Sequence, residues 1–191
     1  MSLTKITDAT TEPFDAAAVK VHLHETLVDT ANDALITRLI KVARTAAEER
    51  TERTLLATTW QLNFDTFPAV ITLERPPIVS VAWIKYIDAA GTLQTLDPAL
   101  YQVDIAKQPG RISPVYGQYW PQTRPCTFGA VTVRYTAGYA DAASVPETVR
   151  QWILLAVSEM YELRNRSAER PTVPHDFADY LLTGGNTVWS V

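Results

Sequence analysis

The segment LERPPIVSVAWIKYID, residues 73–88, decides the fold of this chain. It joins a double proline to a run dominated by β-branched and aromatic residues, which is typical of a strand entered from a turn. Similar short segments follow at YQVD (101–104), GRI (110–112) and VTVRYTAGY (131–139). The stretch from residue 73 to residue 139 therefore predicts a run of short strands separated by turns.

Upstream of this segment, the apolar pattern changes its period from about 3.6 to 2 at Thr58, because Trp60, Leu62 and Phe64 alternate with polar residues. Prolines and glycines punctuate the stretch that follows, and their spacing indicates antiparallel hairpins rather than strand–helix–strand units. The other predicted strands are Val70–Leu73, Ile78–Ile87, Leu93–Leu96, Tyr101–Ile105, Arg111–Pro114 and Ala130–Tyr135.

Helical patterns flank the strands on the N-terminal side. Residues 1–12 have the composition of a Thr-rich arm, and Asp15 is a good N-cap for a first helix that begins with three alanines. Asp29 or Thr30 is expected to cap a second helix that runs to about Arg53. Its predicted apolar face consists of Leu35, Leu39, Val42, Ala43 and Ala46, with Glu48 on the polar face.

A third helix is predicted from Ser144-Val145-Pro146-Glu147 to about Asn165. Its apolar residues cover more than one face, so it should be buried on more than one side and pack on the second helix and also on the β module or a neighbouring subunit. We therefore predict an α+β fold, a helical bundle of about three main helices with an inserted antiparallel β module. Residues 1–56 and 140–191 would form the helical scaffold, and residues 57–139 the inserted β-rich module.

The composition is that of an ordinary globular protein, with 47% hydrophobic and 20% charged residues among 191. The net charge of −4 argues against a broad basic face that binds nucleic acid. A weakly acidic surface repels phosphate, however, and would let a duplex slide past it. The only cysteine, Cys126, excludes an intrachain disulfide. The N-terminus lacks the pattern of a signal peptide and no apolar run is long enough for a membrane span, so synthesis and folding in a cytoplasm are expected.

The sequence contains no recognisable catalytic or ligand-binding motif, neither a phosphate-binding glycine loop nor a nucleophile elbow. His22 and His24 are two residues apart in a predicted helix and point to different faces, and His175 stands alone in a loop. We therefore expect no enzymatic activity, no metal and no cofactor. Three aspartates at turn positions are expected to stabilise those turns through their own backbone: Asp88, Asp97 and Asp104.

The C-terminal part of the chain holds the residues most suited to contact a partner. Trp189 follows a double glycine near the C-terminus, where it either folds back on its own core or docks on another protein. A cluster of arginines near the end of the third helix suits a solvated linker, or contact with phosphate or with a partner's carboxylates: Arg164, Arg166 and Arg170. The candidate partner interface is Phe177, Tyr180, Leu181 and Trp189 together with Arg164 and Arg166.

The order of elements resembles the head–tail connector (portal adaptor) proteins of tailed bacteriophages and prophages. The resemblance rests on L-x-R-P-P-I-x-S-V at 73–81, the YQVD and GRI segments, Trp120-Pro121 and V-x-V-x-Y-x-A-G-Y at 131–139. The smallest connectors of this type are similar to helical bundles without a β module. The likeness covers most of the chain, from about Phe14 to about Arg164.

The resemblance implies a structural virion protein of the neck, made in the bacterial host cytoplasm. Such a protein forms a homo-oligomeric ring of about a dozen subunits under the portal protein. The ring extends the DNA channel, lets double-stranded DNA pass without specific binding, and docks a stopper or tail-completion protein. No membrane is involved.

Two other functions are compatible with the residues. The first is a ligand- or carbohydrate-binding β module on a helical stalk, with Trp83, Trp120 and Tyr116 lining a groove. The second is an enzyme with an unrecognised site, and its only support is that the chain contains many carboxylates and arginines.

Overall fold

A computed structural model describes residues 1–23, 30–165 and 181–182, with the side chains of residues 163–165 outside the description. The chain divides into two compact units, each of which is discontinuous in sequence. The β unit consists of Met1–Thr10 and Ala57–Tyr139. The helical unit consists of Thr11–Leu56 and the described residues from Ala140 onward.

The β unit contains two antiparallel sheets, a five-stranded sheet in the order β1-β2-β8-β4-β5 and a three-stranded sheet in the order β3-β7-β6. A short 3-10 helix, Pro98–Leu100, precedes β6. The strands are β1 Ser2–Thr7, β2 Thr58–Phe64, β3 Ile71–Leu73, β4 Ile78–Ile87, β5 Leu93–Thr95, β6 Tyr101–Asp104, β7 Gly110–Pro114 and β8 Val131–Ala137. The seven strands predicted from alternation and turn residues are confirmed; Ile78–Ile87 has the predicted bounds, and the ends of the other strands differ from prediction by at most two residues.

The N-terminal arm is the exception, because it forms β1. This strand pairs with β2 at the edge of the five-stranded sheet, with Leu3 opposite Leu62 and Lys5 opposite Trp60. Five of its six side chains are exposed, so it lacks the apolar alternation by which the other strands were recognised. The expectation of an arm for this segment is therefore wrong.

The core of the β unit follows the strand alternation. In β2 and in β8, every second side chain is buried, and the two strands run side by side with Leu62 opposite Val133. Ile84 of β4 packs into the same core from the other side of β8. The small sheet contributes Ile71, Leu73 and Ile112. Because both sheets bury one face in a single apolar cluster, the β unit has a hydrophobic core of its own.

The described residues of the helical unit form three α-helices, α1 Ala16–His22, α2 Asp33–Thr51 and α3 Glu147–Asn165. The predicted N-cap of α1 is confirmed, since the Asp15 carboxylate accepts a hydrogen bond from the Ala18 amide at 2.7 Å. α2 begins later than predicted, after Asn32, because residues 30–32 form a turn in which the Thr30 carbonyl accepts from the Asp33 amide. α2 packs on α3, as expected, and α1 contacts both.

The predicted apolar face of α2 is displaced by about one residue. The fully buried apolar positions are Ile36, Ile40, Ala43 and Ala47, whereas Val42 is 49% exposed. The sequence offers two neighbouring apolar stripes, because leucine precedes isoleucine at both 35–36 and 39–40. The buried stripe is the one that also carries Arg44 and Glu48 into the interior.

The predicted fold class, a helical bundle with an inserted β module, is wrong. Helix and strand contribute about equally to the described chain, and eight strands form two antiparallel sheets around a separate core. Long apolar helices are easy to recognise in a sequence, whereas β1 has no alternating pattern and the apolar cluster forms only when strands of both sheets come together. Once β1 is added and the apolar cluster is located between the sheets, the protein is β-rich, and the segments of its helical unit alternate along the chain with those of the β unit.

Candidate interaction surfaces

The predicted C-terminal interface falls almost wholly outside the described residues. Phe177, Tyr180, Trp189 and Arg166 lie outside them, and the backbone of Arg164 belongs to α3 without a described side chain. Leu181 is half-buried and lies in a helical segment with the buried Leu182. This interface therefore stays a prediction.

The three aromatic residues predicted to line a carbohydrate groove have separate surroundings. Trp120 stacks on Phe67 with ring centroids 4.8 Å apart, and its indole N–H donates to the Ala69 carbonyl at 3.3 Å. Trp83 lies on the face of the five-stranded sheet opposite the buried Ile84, because successive strand residues alternate. Tyr116 is fully exposed in a loop. The structure does not bring these rings together into one groove.

The loop that contains Tyr116 exposes three aromatic rings of the β unit. We call residues 115–129, between β7 and β8, the aromatic loop. Tyr116 is fully exposed, and Tyr119 and Phe128 are each 92% exposed. Sequence reasoning singled out Tyr116 and Trp120 in this segment but missed the other two rings. The available signal was a run of aromatics among prolines and glycines with no strand alternation.

The aromatic loop is held in place at several points along its length. Its Trp120 packs on the core, and its Gly129 amide donates to the Asp65 carboxylate at 2.7 Å. Backbone hydrogen bonds add two more attachments, from the Val115 amide to the Leu100 carbonyl and from the Arg124 amide to the Ile87 carbonyl, each at 3.1 Å. The loop is therefore attached through contacts within the β unit, whereas its three exposed rings remain accessible at the surface.

An open cavity of about 380 Å³ lies on the outer face of the three-stranded sheet. Cross-strand neighbours form its floor, with Gln102 opposite Ser113 and Asp104 opposite Arg111. The Gln102 amide donates to the Ser113 hydroxyl at 3.1 Å. The cavity is lined by Val70, Gln102, Val103, Asp104, Arg111 and Ser113. It offers hydrogen-bonding groups, the Arg111 guanidinium and the Asp104 carboxylate.

The turn aspartates serve the roles predicted for them. Asp88 accepts hydrogen bonds from the amides of Ala90 and Thr92, at 3.0 and 2.9 Å, and from the Gln94 side chain. The hydrogen bonds from Thr92 and Gln94 lower the pKa of Asp88 below its ordinary 3.8. Asp97 and Asp104 each accept from the amide two residues further on. These local hydrogen bonds stabilise the turns in which the three aspartates lie.

A buried ion network lies inside the helical unit. The Arg44 side chain on α2 is fully buried and donates to Glu12 at 2.8 Å and to Glu48 at 3.1 Å. Glu48 in turn accepts from the Leu55 amide at 3.0 Å. Glu12 and Leu55 lie close to two of the three points at which the chain passes between the units, Thr10 to Thr11 and Leu56 to Ala57. Two ion-paired residues of α2, Arg44 and Glu48, therefore bind one segment each.

Charge is distributed unevenly over the β unit. The five strands of the large sheet contain no aspartate or glutamate, although the chain as a whole carries a net charge of −4. On the outer face, Lys85 and Arg134 lie 4.6 and 4.7 Å from the centre of the Trp83 ring. Arg134 also donates to the Gln61 side chain at 2.6 Å. This face is polar and locally cationic, and it holds the aromatic ring between two cations.

Other candidate chemistry finds little support in the described part of the chain. No group of three or more His, Cys, Asp or Glu side chains there could hold a metal ion. His22 ends α1, while His24 and His175 lie outside the description. Cys126 is exposed in the aromatic loop. Among the described helices, none has the length and apolar character to cross a membrane.

Comparison with known proteins shows a fold shared over nearly the whole chain. No protein-family model matches the chain, and no curated protein matches it in sequence. A chain from the virion of a native gene transfer agent (GTA) particle is similar over 96% of this chain and 94% of its own, with 23% identity and a TM-score of 0.77. A chain from the neck of an empty GTA particle, computed with C6 symmetry, has 24% identity, the same coverages and a TM-score of 0.76.

A third similar chain comes from the neck of a native GTA particle computed with C12 symmetry. It shares 23% identity, covers 97% of this chain and 94% of its own, and has a TM-score of 0.74. Because coverage is high in both directions, the likeness includes the β unit and the helical unit together. The fold of this protein is thus the fold of chains found in these phage-like particles.

Proposed function

We propose that this protein is a structural component of the neck of a phage-like particle, where it acts as a head–tail connector without enzymatic activity. The observation that carries the proposal is the shared fold over 96–97% of the chain with GTA virion and neck chains. The ordered sequence phrases that resemble head–tail connectors support the same function independently. The site of action would be the neck of the virion, after synthesis in the host cytoplasm.

The finer part of the proposal is a closed ring of identical subunits. Two of the similar chains come from necks computed with C6 and C12 symmetry, which suggests that this chain also repeats around an axis. Subunits in a ring meet through two different surfaces of the same protein, and the interface closes by rotation. Exposed apolar side chains that could form such surfaces are found in the aromatic loop and at Val42 of α2.

The proposed ring lies under the portal protein, extends the DNA channel and docks a stopper or tail-completion protein. The net charge of −4 favours passage of double-stranded DNA over retention, because like charges keep the duplex from binding tightly. The cationic face around Trp83 is too small to reverse this balance, since it carries two positive side chains on the outer face of a five-stranded sheet.

The test is a mass measurement of the full chain by native mass spectrometry, alone and with purified portal rings of the same particle. We expect a discrete assembly of about twelve copies, the number of the C12 symmetry, either alone or on the portal. Negative-stain images should show rings coaxial with the portal. A chain that remains monomeric under both conditions and does not bind the portal would contradict the proposal.

A further inference from the structure

The aromatic loop presents apolar surface in a fixed geometry. Its exposed rings, Tyr116, Tyr119 and Phe128, come from a segment that hydrogen bonds and the stacked Trp120 attach to the β unit. Rigid aromatic side chains lose little conformational entropy on binding, and a segment that is already ordered lowers the cost further. Such a loop is preorganised to insert into another surface.

The area of the rings is sufficient to matter in an interface. An aromatic side chain buries about 150–250 Å² when fully covered, so the three rings together supply about 450–750 Å². A standard interface buries about 800 Å² on each partner. The rings would therefore account for most of one side of a stable contact.

The charge of the loop restricts the surface that it fits. Among its fifteen residues, Arg124 is the only charged one, and its guanidinium lies against Gly91 of the same unit. Recognition must then come from apolar contact, tyrosine hydroxyl hydrogen bonds and cation–π contact. The cavity on the three-stranded sheet matches these needs, because Gln102 and Ser113 offer hydrogen-bonding groups, Arg111 a guanidinium and Val70 apolar surface, while the Asp104 carboxylate can accept from a tyrosine hydroxyl.

The occupant of that cavity follows from symmetry and from the proposed function, on which this inference rests. A closed ring needs two different, complementary surfaces on every subunit. The aromatic loop presents three exposed rings and the three-stranded sheet a concave cavity, and each copy carries both. We propose that in the assembled ring the aromatic loop of one copy inserts Tyr119 and its neighbouring rings into the cavity on the three-stranded sheet of the next copy.

The decisive experiment is a disulfide cross-link between the two surfaces. The variant Tyr119→Cys/Gln102→Cys, with the second cysteine on the outer face of the three-stranded sheet, is made in a Cys126→Ser background, assembled as for the mass measurement, and oxidised. Since a disulfide requires Cα atoms about 5.5 Å apart, the bond forms only if loop and cavity meet. We expect a ladder of dimers, trimers and higher multimers on non-reducing gels, because each subunit then bonds to two neighbours.

The controls separate the outcomes. Each single-cysteine variant should give at most dimers. A double variant that stops at dimers would show a two-fold pairing and overturn the head-to-tail contact, and a double variant with no cross-link in assembled rings would overturn the contact itself. If the unsubstituted chain forms no ring with or without portal, the proposed function and this inference fall together.

A second variant tests whether the three exposed rings contribute much of the free energy of assembly. Tyr116→Ser/Tyr119→Ser/Phe128→Ser should raise the protein concentration needed for half-assembly by about tenfold or more, because aromatic anchors dominate interface energies. Val21→Ser, at a 61% exposed apolar position on α1, is the matched control and should change it little. Circular dichroism and thermal unfolding confirm that both variants are folded. Unchanged assembly by the triple variant would contradict the inference while leaving the proposed function intact.

Discussion

The two units stabilise their interiors by different chemistry. Among the described residues, every buried charged side chain lies in the helical unit, namely Lys20, Arg44 and Glu48. The β unit buries a continuous apolar cluster together with the phenol of Tyr135. Apolar interiors tolerate small changes gradually, whereas a buried ion pair that loses one partner leaves an uncompensated charge. The helical unit should thus be the more fragile of the two.

The largest expected effect is that of Arg44→Met, which leaves Glu12 and Glu48 without their shared cation. Breaking a buried ion pair in this way costs about 3–5 kcal/mol, so we expect a loss of that order in the free energy of unfolding of the helical unit. Urea unfolding followed by helical circular dichroism measures it. Arg38→Met, on the exposed side of the same helix, is the control and should cost less than about 0.5 kcal/mol.

A compensating variant sharpens this prediction. Glu12→Gln/Arg44→Met/Glu48→Gln removes all three charges and keeps an oxygen at position 48 for the Leu55 amide. It should recover more than half of the loss, since replacing a whole buried ion network is far less costly than breaking it. Equal instability of the single and triple variants would show that packing, rather than charge, explains the effect.

In the β unit, Tyr135→Phe is expected to have a smaller effect. The Tyr135 hydroxyl donates to the Glu74 carbonyl at 2.8 Å from a ring with no exposed surface. Removing one partner of a buried hydrogen bond costs about 1–2 kcal/mol. Chemical denaturation followed by tryptophan fluorescence measures this, and Tyr116→Phe serves as the exposed control with no expected change. A neutral Tyr135→Phe would mean that another group satisfies the carbonyl.

The same phenol makes stability dependent on alkaline pH. Burial, and next the charge of Glu74, raise the pKa of Tyr135 above the ordinary 10.0. Above pH 10 the unfolded chain loses this proton while the folded chain keeps it, so deprotonation favours unfolding. The contribution is complete below pH 10 and declines by about 1 kcal/mol for each pH unit above it. Denaturation midpoints from pH 9 to 11.5 should fall more steeply for the unsubstituted protein than for Tyr135→Phe.

The smallest predicted effect concerns the start of α1. Asp15→Ala removes the carboxylate that accepts from the Ala18 amide, and loss of an N-cap costs about 1 kcal/mol. Amide hydrogen exchange should show faster exchange confined to Ala16–His22. Asp15→Asn keeps a capping oxygen and should behave like the unsubstituted chain. Faster exchange that spreads through the β unit would contradict the separation of the two interiors.

The sequence predicted the strands of the β unit better than the register of the helical unit, for a physical reason. A strand with one buried face must alternate, and Trp60, Leu62 and Phe64 do so visibly. β1 was missed because only Leu3 is even half-buried, so its place depends on pairing with β2 rather than on its own pattern. The α2 register was misjudged because Arg44 is buried by a partner 32 residues away, which no local period reveals.

The candidate surfaces were only partly predictable for a similar reason. Exposure of an aromatic ring depends on where the rest of its loop is anchored. Trp120 and Tyr116 are four residues apart in one loop, yet one packs on the core and the other is fully exposed. The difference comes from Phe67 and Ala69, which receive Trp120 from a distant part of the chain. The spacing of residues in the sequence does not indicate that Trp120 contacts Phe67 and Ala69.

The pairing of β1 with β2 has a consequence for the order of events on the ribosome. The first strand of the large sheet is translated about fifty residues before the strand on which it lies, and β8, the other neighbour of β2, follows much later. At about 5–20 residues per second, the nascent chain carries an unpaired β1 for several seconds. The two helices encoded in that interval can form while it waits. A fragment limited to residues 57–139 would emerge with the β2 edge bare, and we expect it to aggregate where the whole chain does not.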